Sequence, residues 1–312
     1  MRRALDIILL ACVSILLSSC YKFSIGEITE ETRHIESFQV VKICDDIDVR
    51  LIHCDAQNSA GTIKIKTGAN LIEAINAEIE EYFEVINTDT LKYDMLVITN
   101  DNAYNNFRPQ NHVPEMTVYY DSIYKIEFYS NARHVSSDTL RGFDYPTHFA
   151  HDTIEWDSLA SNLLLEVQGG SGNFNILTNC YKLTTKCIHG TSHITIKGKA
   201  TLASTFADYD SHGVIESGEL DSHIHYISTY GTNVIKAKTF HLLDIRNENI
   251  GSVHYKKYYA TKKEIVWNDS LHQLDTVNKR VLCPEVIHYN GEYINIWTYN
   301  NDNGYPGLVQ EP

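Results

Sequence analysis

The 312-residue sequence predicts an all-β fold: a parallel β-helix-like solenoid with coils of about 20 residues and a C-terminal β-hairpin extension. Three observations carry this. The first is a repeat. Phe174, Ile194, Val214, Val234 and Val253 step by 20, 20, 20 and 19 residues, each behind a turn segment: Gly170 and Gly172, Gly190, His212-Gly213, Gly231 and Gly251. Leu163, Leu183, Ala203, His223 and Leu243 keep the same interval, and periods of this size denote stacked repeats. The second is composition, because the repeated segments are short and rich in Ile, Val, Thr, Phe and Tyr, residues that favour strands. The third is Asn290-Gly291 between alternating segments, the strongest short-range hairpin signal, favouring a type I′ turn.

A coil of this length has a contour on the order of 60 Å, enough for two or three strands and their corners. Equivalent strands of successive coils pair in parallel, each coil covering the open edge of the one before. Alternation gives the inward columns: Leu163, Leu165 and Val167 over Leu183, Thr185 and Cys187, then over Ala203, Thr205 and Ala207. In the fourth coil this frame would bury His223 and His225. A one-residue slip, which exchanges the two faces of a strand, is expected to bury Ile224 and Tyr226 instead.

At the N-terminus, Arg2 and Arg3 precede an apolar run from Ile7 to Leu17 that ends Leu17-Ser-Ser-Cys20. This reads as a secretory signal over residues 1–20 and resembles the bacterial lipobox, although Asp6 intrudes. Cys20 is the expected lipid-attachment residue, and the run is too short to span a membrane comfortably. The partner implied is a membrane, held through the N-terminal lipid as an anchor rather than a span. That places the protein in the bacterial cell envelope, as an outer-membrane lipoprotein facing the periplasm or the cell surface. Without residues 1–20 the chain keeps 24 basic and 39 acidic residues, a net charge of −15, which argues against nucleic acid or anionic lipid as a partner. Five cysteines remain (Cys44, Cys54, Cys180, Cys187, Cys283) with no CxxC. They fit neither a disulfide framework nor zinc, and Cys187 in the inward column reads as a small buried hydrophobe.

Residues 21–37 are polar and aperiodic, as a tether would be. Strands are then expected at Phe38–Ile43, Ile47–Ile52, Thr62–Lys66, Met95–Thr99, Glu115–Tyr120 and Tyr124–Tyr129. Leu71–Ile86 fits a helix face as well as a strand. Residues 100–112 form a polar loop, and residues 141–152 interrupt the repeat.

These segments carry a resemblance. Phe38-x-Val-Val, Ile47-x-Val-x-Leu51, Asn70-Leu-Ile72, Leu96-x-Ile98, Met116-x-Val-Tyr-Tyr, Ile123-Tyr-Lys-Ile-Glu-Phe, Leu140, the Gly-x-x-x-[Val/Ile] coils and Gly251-Ser-Val-His-Tyr resemble the putative auto-transporter adhesin, head GIN domain family over residues 38–258. The resemblance implies a β-helix-like domain outside the cytoplasm, an adhesive or binding role and no catalytic residues. It also tips Leu71–Ile86 toward strand. The Gly-Ser-Gly-Asn turns typical of the family survive only at Gly169–Asn173; later coils carry His, Thr and Tyr.

Residues 259–312 read as a β extension that caps the last coil. The competing reading is an aromatic patch of Tyr289, Tyr293, Trp297, Tyr299 and Tyr305. Elsewhere the chemistry is sparse. The corner Asp208-Tyr-Asp210-Ser-His212 offers two carboxylates and an imidazole, the groups a glycan-active enzyme uses as acid and base, but such residues also simply favour turns. His223-x-His225 with His193 or His241 makes a weak metal set. Glu216 and Lys236, one coil apart, fit a cross-strand ion pair. Asp-Ser/Thr-aliphatic triplets at Asp89, Asp121, Asp138, Asp152, Asp157, Asp269 and Asp275 resemble short O-glycan acceptor motifs and equally fit turns before strands.

No catalytic residue, metal site or cofactor is expected. The primary function reading is a membrane-anchored extracytoplasmic binding or adhesion module for a surface polymer or protein. Its candidate ligand-binding residues are Tyr226, Tyr230, Tyr255 and Tyr258, gathered in the last two coils; Tyr226 thus stands in two readings, core and surface. The alternatives are an enzyme using the Asp208/Asp210/His212 corner and a structural envelope spacer.

Overall fold

The computed structural model describes residues 25–54, 60–86, 89–101, 112–129, 134–140, 143–144, 161–268, 273–299, 301 and 305–311. Cys20, the triplets at Asp152, Asp157 and Asp269 and most of the expected 100–112 loop lie outside them. Strands β1 (Ile28–His34), β2 (Val40–Ile43), β3 (Asp48–His53) and β4 (Thr62–Gly68) come first. A 3-10 turn at Ile72–Ala74 leads into the hairpin β5 (Ile75–Ile86) and β6 (Asp89–Asn100). Next come β7 (Glu115–Tyr120), β8 (Lys125–Phe128), β9 (His134–Leu140), β10 (Phe143–Asp144) and β11 (Ser161–Val167). The long strands are β12 (Asn173–Gly190), β13 (His193–Ser211), β14 (Val214–Thr229) and β15 (Val234–Asn247). The chain closes with β16 (Ser252–Lys256), β17 (Tyr258–Asn268), β18 (Gln273–Cys283), β19 (Val286–Tyr289), β20 (Glu292–Ile294) and β21 (Leu308–Glu311).

Their pairings make two walls. Wall A runs β1, β4, β7, β3, β9, the N-terminal halves of β12 to β15, β16 and β21. Wall B runs β5, β6, β2, β8, β11, the C-terminal halves of β12 to β15, β19 and β20. Between β7 and β21 in wall A, and between β6 and β19 in wall B, successive strands of the wall are parallel, while the two-residue β10 pairs antiparallel with the start of β11. The expected all-β solenoid is what the chain forms. Each long strand turns a corner from one wall to the other, and the inner faces share one core. Phe128 of wall B stacks on Phe174 of wall A with ring centroids 4.1 Å apart.

The expected columns over Leu163, Leu183 and Ala203 pair as read and are buried. Further along, the frame drifts. Phe174 stacks on Ile194, then on Ile215, Ile235 and Val253. The steps are therefore 20, 21, 20 and 18 residues, and Val214 and Val234 are only half-buried. The one-residue slip at the fourth coil is also corrected. Ala203 pairs with His225 and His225 with Leu243, so wall B takes 22 residues and then 18. A shift of two preserves the face of a strand. Tyr226 is consequently 44% exposed and His225 1%. What makes the histidine tolerable inside is Thr205, whose hydroxyl lies 2.9 Å from His225 Nε2.

The N-terminal coils depart from the simple order. β2–β3, first in the chain, lies between β6–β7 and β8–β9, so a later coil covers its outer edge. Residues 28–34, expected in the tether, form β1 against β4. The strand has no apolar stripe because it is an edge, and Arg33 pins it by donating to the carbonyls of Ile75 (2.6 Å) and Ile72 (3.1 Å). Leu71–Ile86 resolves into the 3-10 turn and β5, the strand that the family resemblance implied.

The repeated turn glycines have a steric cause. A Cβ on Gly190 would lie 2.4 Å from the Gly170 carbonyl oxygen, and one on Gly213 would lie 2.0 Å from that of Ser192. Successive turns thus stack backbone on backbone with no room for a side chain.

At the C-terminal end, Asn290 (φ +50°) and Gly291 (φ +85°) form the tight turn between β19 and β20, as their sequence predicts. β19 lengthens wall B and β21 wall A, and Ile287, Ile294, Ile296 and Leu308 enter the core. Tyr289 and Tyr299 are core residues rather than an aromatic patch. β17 and β18 pair only with each other, as a separate two-stranded sheet.

Candidate functional site

The sequence-derived candidates scatter. Asp208 accepts the Tyr209 N–H (2.8 Å), Asp210 faces His189 (3.6 Å) and His212 Nδ1 bonds the Thr232 hydroxyl (2.7 Å). Each group in the corner has turned to a different partner, which is turn and cross-coil chemistry rather than a catalytic set. The histidines separate too. His223 stacks on His241 with centroids 5.3 Å apart, His225 points inward, and His193 lies 3.8 Å from Glu216. Among the described residues no three metal-ligating side chains come together. Glu216 and Lys236 pair at 2.7 Å, as their one-coil spacing predicts, and this bond holds the Glu216 carboxyl below its ordinary range.

The thiols among the described residues are free. Burial pushes Cys180 up to about 11 and Cys187 up to about 12, so both are inert hydrophobes. Two of the Asp-Ser/Thr triplets are engaged in the fold: Asp138 accepts the His53 N–H (2.9 Å), and Ser122 donates to Asp121 (3.3 Å).

Of the four candidate tyrosines, Tyr255 is corrected outright. At 1% exposure it is part of the core, because its strand continues the inward column of Ala237. Tyr258 is half-buried at the base of β17 and donates its hydroxyl to the Thr239 carbonyl (3.1 Å), while burial raises its ionisation well above the usual range. Tyr226 and Tyr230 remain on the surface side, and around them the structure assembles a site.

That site occupies the outer face of wall B in its last coils. Tyr226, Asp244, His288 and Tyr293 are consecutive cross-strand partners on β14, β15, β19 and β20, so they form one rung. Next to it lies a second rung, Phe206, Ser228 and Arg246. Beyond the strand ends, the Tyr230 ring sits 5.3 Å from Tyr209, 5.6 Å from Phe206 and 5.9 Å from the Arg246 guanidinium.

A cleft of about 470 Å³ opens here, lined by Asp244, Ile245, Arg246, Glu248, Asn290 and Gly291. Its walls are fixed from below. The Asn290 side chain accepts the Asn247 N–H (2.7 Å) and donates to the Asn247 carbonyl (3.0 Å), and Asn249 donates to the Tyr230 carbonyl (2.7 Å). Arg246 pairs with Glu248 at 2.5 Å, so the cleft presents a cation already neutralised by a carboxylate. Aromatic rims around a few fixed polar groups are what ligand sites are made of.

Phe206, Tyr209, Asp244, Arg246, Glu248 and His288 were not among the sequence candidates, and Tyr293 entered there only through the C-terminal aromatic patch. The signal that finds them is register: with coils of 22 and 18 residues instead of 20, Phe206, Ser228 and Arg246 align.

A family model described as "Putative auto-transporter adhesin, head GIN domain" matches residues 37–258. No curated protein matches the chain. Among solved structures, the chain is similar to a putative adhesin from Bacteroides fragilis NCTC 9343, at 17% identity over 74% of this chain and 88% of that one, with a TM-score of 0.56. At that identity the likeness is one of fold. A putative lipid binding protein from Parabacteroides distasonis ATCC 8503 aligns at 13% identity over 74% of this chain and 90% of that one, with a TM-score of 0.47.

Proposed function

The chain belongs to the putative auto-transporter adhesin, head GIN domain family, and from that premise we propose that it is a non-catalytic binding or adhesion module of the bacterial cell envelope. One observation carries the reading. An outward-facing constellation on the last coils of wall B combines surface aromatic rings with fixed polar groups beside an open cleft. Catalysis needs titratable groups converging within hydrogen-bond reach of a substrate. Here Asp208, Asp210 and His212 diverge, and the Arg246–Glu248 pair satisfies itself. A regular repeat surface suits extended recognition, and the partner is a surface polymer or a surface protein. The N-terminal Leu-Ser-Ser-Cys20 segment supports anchoring through a lipid on Cys20.

The test is a binding and turnover experiment on one preparation. Residues 21–312 are immobilised and exposed to envelope extract, then incubated with a panel of glycan and peptide substrates. Retention of an envelope component without turnover is expected. Turnover that disappears in Asp208→Asn/Asp210→Asn would replace this reading with the enzyme. For the anchor, Cys20→Ser is expected to release the full-length protein from membranes in a carbonate wash; unchanged partition would remove the lipid from the proposal.

A further inference from the structure

Resting on the binding role proposed above, we infer that the ligand of the wall B face is a neutral saccharide chain, laid across the strands along the Tyr226–Asp244–His288–Tyr293 rung. The rung places an aromatic ring at each end and two polar side chains between. Tyr226 and Tyr293 are 44% and 63% exposed, and they stand three strand spacings apart, roughly 14 Å. Rings on the sheet offer flat apolar faces to the C–H side of a sugar, while the tyrosine hydroxyls remain available to its polar groups. Between the rings, Asp244 and His288 approach each other at 4.0 Å, and the His288 ring meets Tyr293 edge-on at 6.2 Å. The carboxylate and the imidazole, with the tyrosine hydroxyls, supply both donors and acceptors, which is what a hydroxyl-rich chain requires.

Charge excludes the main alternatives. The formal charges of Asp244, Glu248 and Arg246 sum to −1, and the remainder of the chain is acidic. An anionic polysaccharide, a nucleic acid or a phosphorylated headgroup would meet net repulsion here. A protein partner generally needs a buried hydrophobic centre, whereas along the rung the two tyrosine rings are separated by Asp244 and His288. The walls also set the direction. Because the rungs run perpendicular to the strands, a linear ligand lies along the solenoid axis, where it would reach Ser204 beyond Tyr226 in the same row.

The experiment is affinity electrophoresis of the lipid-free chain, residues 21–312, in gels containing dextran, mannan, laminarin or xylan, with polygalacturonate as the anionic probe. Retardation by at least one neutral polysaccharide is expected. Tyr226→Ala and Tyr293→Ala should each weaken it about three- to tenfold, with circular dichroism spectra unchanged. Trp297→Ala removes a still more exposed aromatic (69%) outside the rung and should leave retardation intact. Retardation by none of the neutral polymers, stronger retardation by polygalacturonate, or equal sensitivity to Trp297→Ala would each overturn the assignment. If envelope extract yields a protein ligand instead, the saccharide inference fails while the binding role stands.

Discussion

His225 occupies a column otherwise filled by Leu163, Leu183, Ala203, Leu243 and Ile287. Burial drives its pKa down to about 4, and Nδ1 has no hydrogen-bond partner. The imidazole is therefore neutral in the fold, whereas in the unfolded chain it binds a proton near pH 6.5. Since the unfolded state binds more protons between those values, stability falls as pH drops from about 6.5 to about 4, by up to about 3 kcal/mol. We expect His225→Leu to remove that component. Urea midpoints at pH 7.0 and 4.5 should differ less for the variant than for wild type, and an identical difference would place the pH dependence elsewhere. A second buried group, Lys125, bridges Glu127 and Glu166 (3.3 Å) and donates to the Tyr82 hydroxyl (3.0 Å). Burial opposes its charge, but the bonds to Glu127 and Tyr82 outweigh that and hold the ammonium protonated well above the usual lysine range. Lys125→Met strands the Glu127 carboxylate in a largely dry site, while Glu166 keeps Lys186 at 4.0 Å, and is expected to cost about 3–5 kcal/mol in chemical denaturation.

At the scale of elements, the unit of stability is the inward residue of each coil. Ile235 is fully buried and stacks between Ile215 and Val253, while its neighbour Val234 leans outward. Ile235→Ala should cost about 2–4 kcal/mol, and Val234→Ala under about 1 kcal/mol. Comparable costs in urea titrations would mean that the frame of β15 is displaced by one. The strand corners carry a second constraint. Gly198 sits at φ +105° with a would-be Cβ 2.1 Å from the Thr178 carbonyl oxygen, whereas Gly218, at the same corner one coil on, has open space. The corner of β13 is thus closed by backbone contact and that of β14 is loose. One of the two extra residues of the fourth coil enters here, where the register shifts between Thr195 and Lys197, and the other enters at the bulge between Cys187 and His189.

For the molecule as a whole, the two hairpin features at the C-terminal end have different weights. Residues 286–311 add two strands to wall B, one to wall A and four aliphatic side chains to the core. β17–β18 pairs with nothing but itself. Replacing residues 260–281 by a short Gly-Ser linker should therefore leave the solenoid folded, with a melting temperature within about 5 °C of wild type. Deleting residues 286–312 uncovers Leu243, Ile245 and Val253 and should produce an aggregated chain. Circular dichroism melts and size-exclusion profiles of both variants distinguish these outcomes; equal loss in the two would make β17–β18 part of the solenoid core.

The amino-acid sequence by itself determined the class of this protein. Its turn glycines are required wherever stacked backbones meet, its inward positions are apolar, and Asn290-Gly291 dictates its own turn, so all three are readable locally. The family pattern over residues 37–258 is of the same kind, being made of core and turn positions. Tertiary structure alone decided the register after Ala203, the placing of β2–β3 between later coils and the burial of His225 and Tyr255. Each depends on corner lengths of one or two residues, and strand alternation looks the same whichever coil a strand joins. The wall B face follows from that register. Tyr226, Asp244, His288 and Tyr293 are separated by 18, 44 and 5 residues in the chain, and only the parallel pairing of β14, β15 and β19, closed by the β19–β20 turn, sets them side by side.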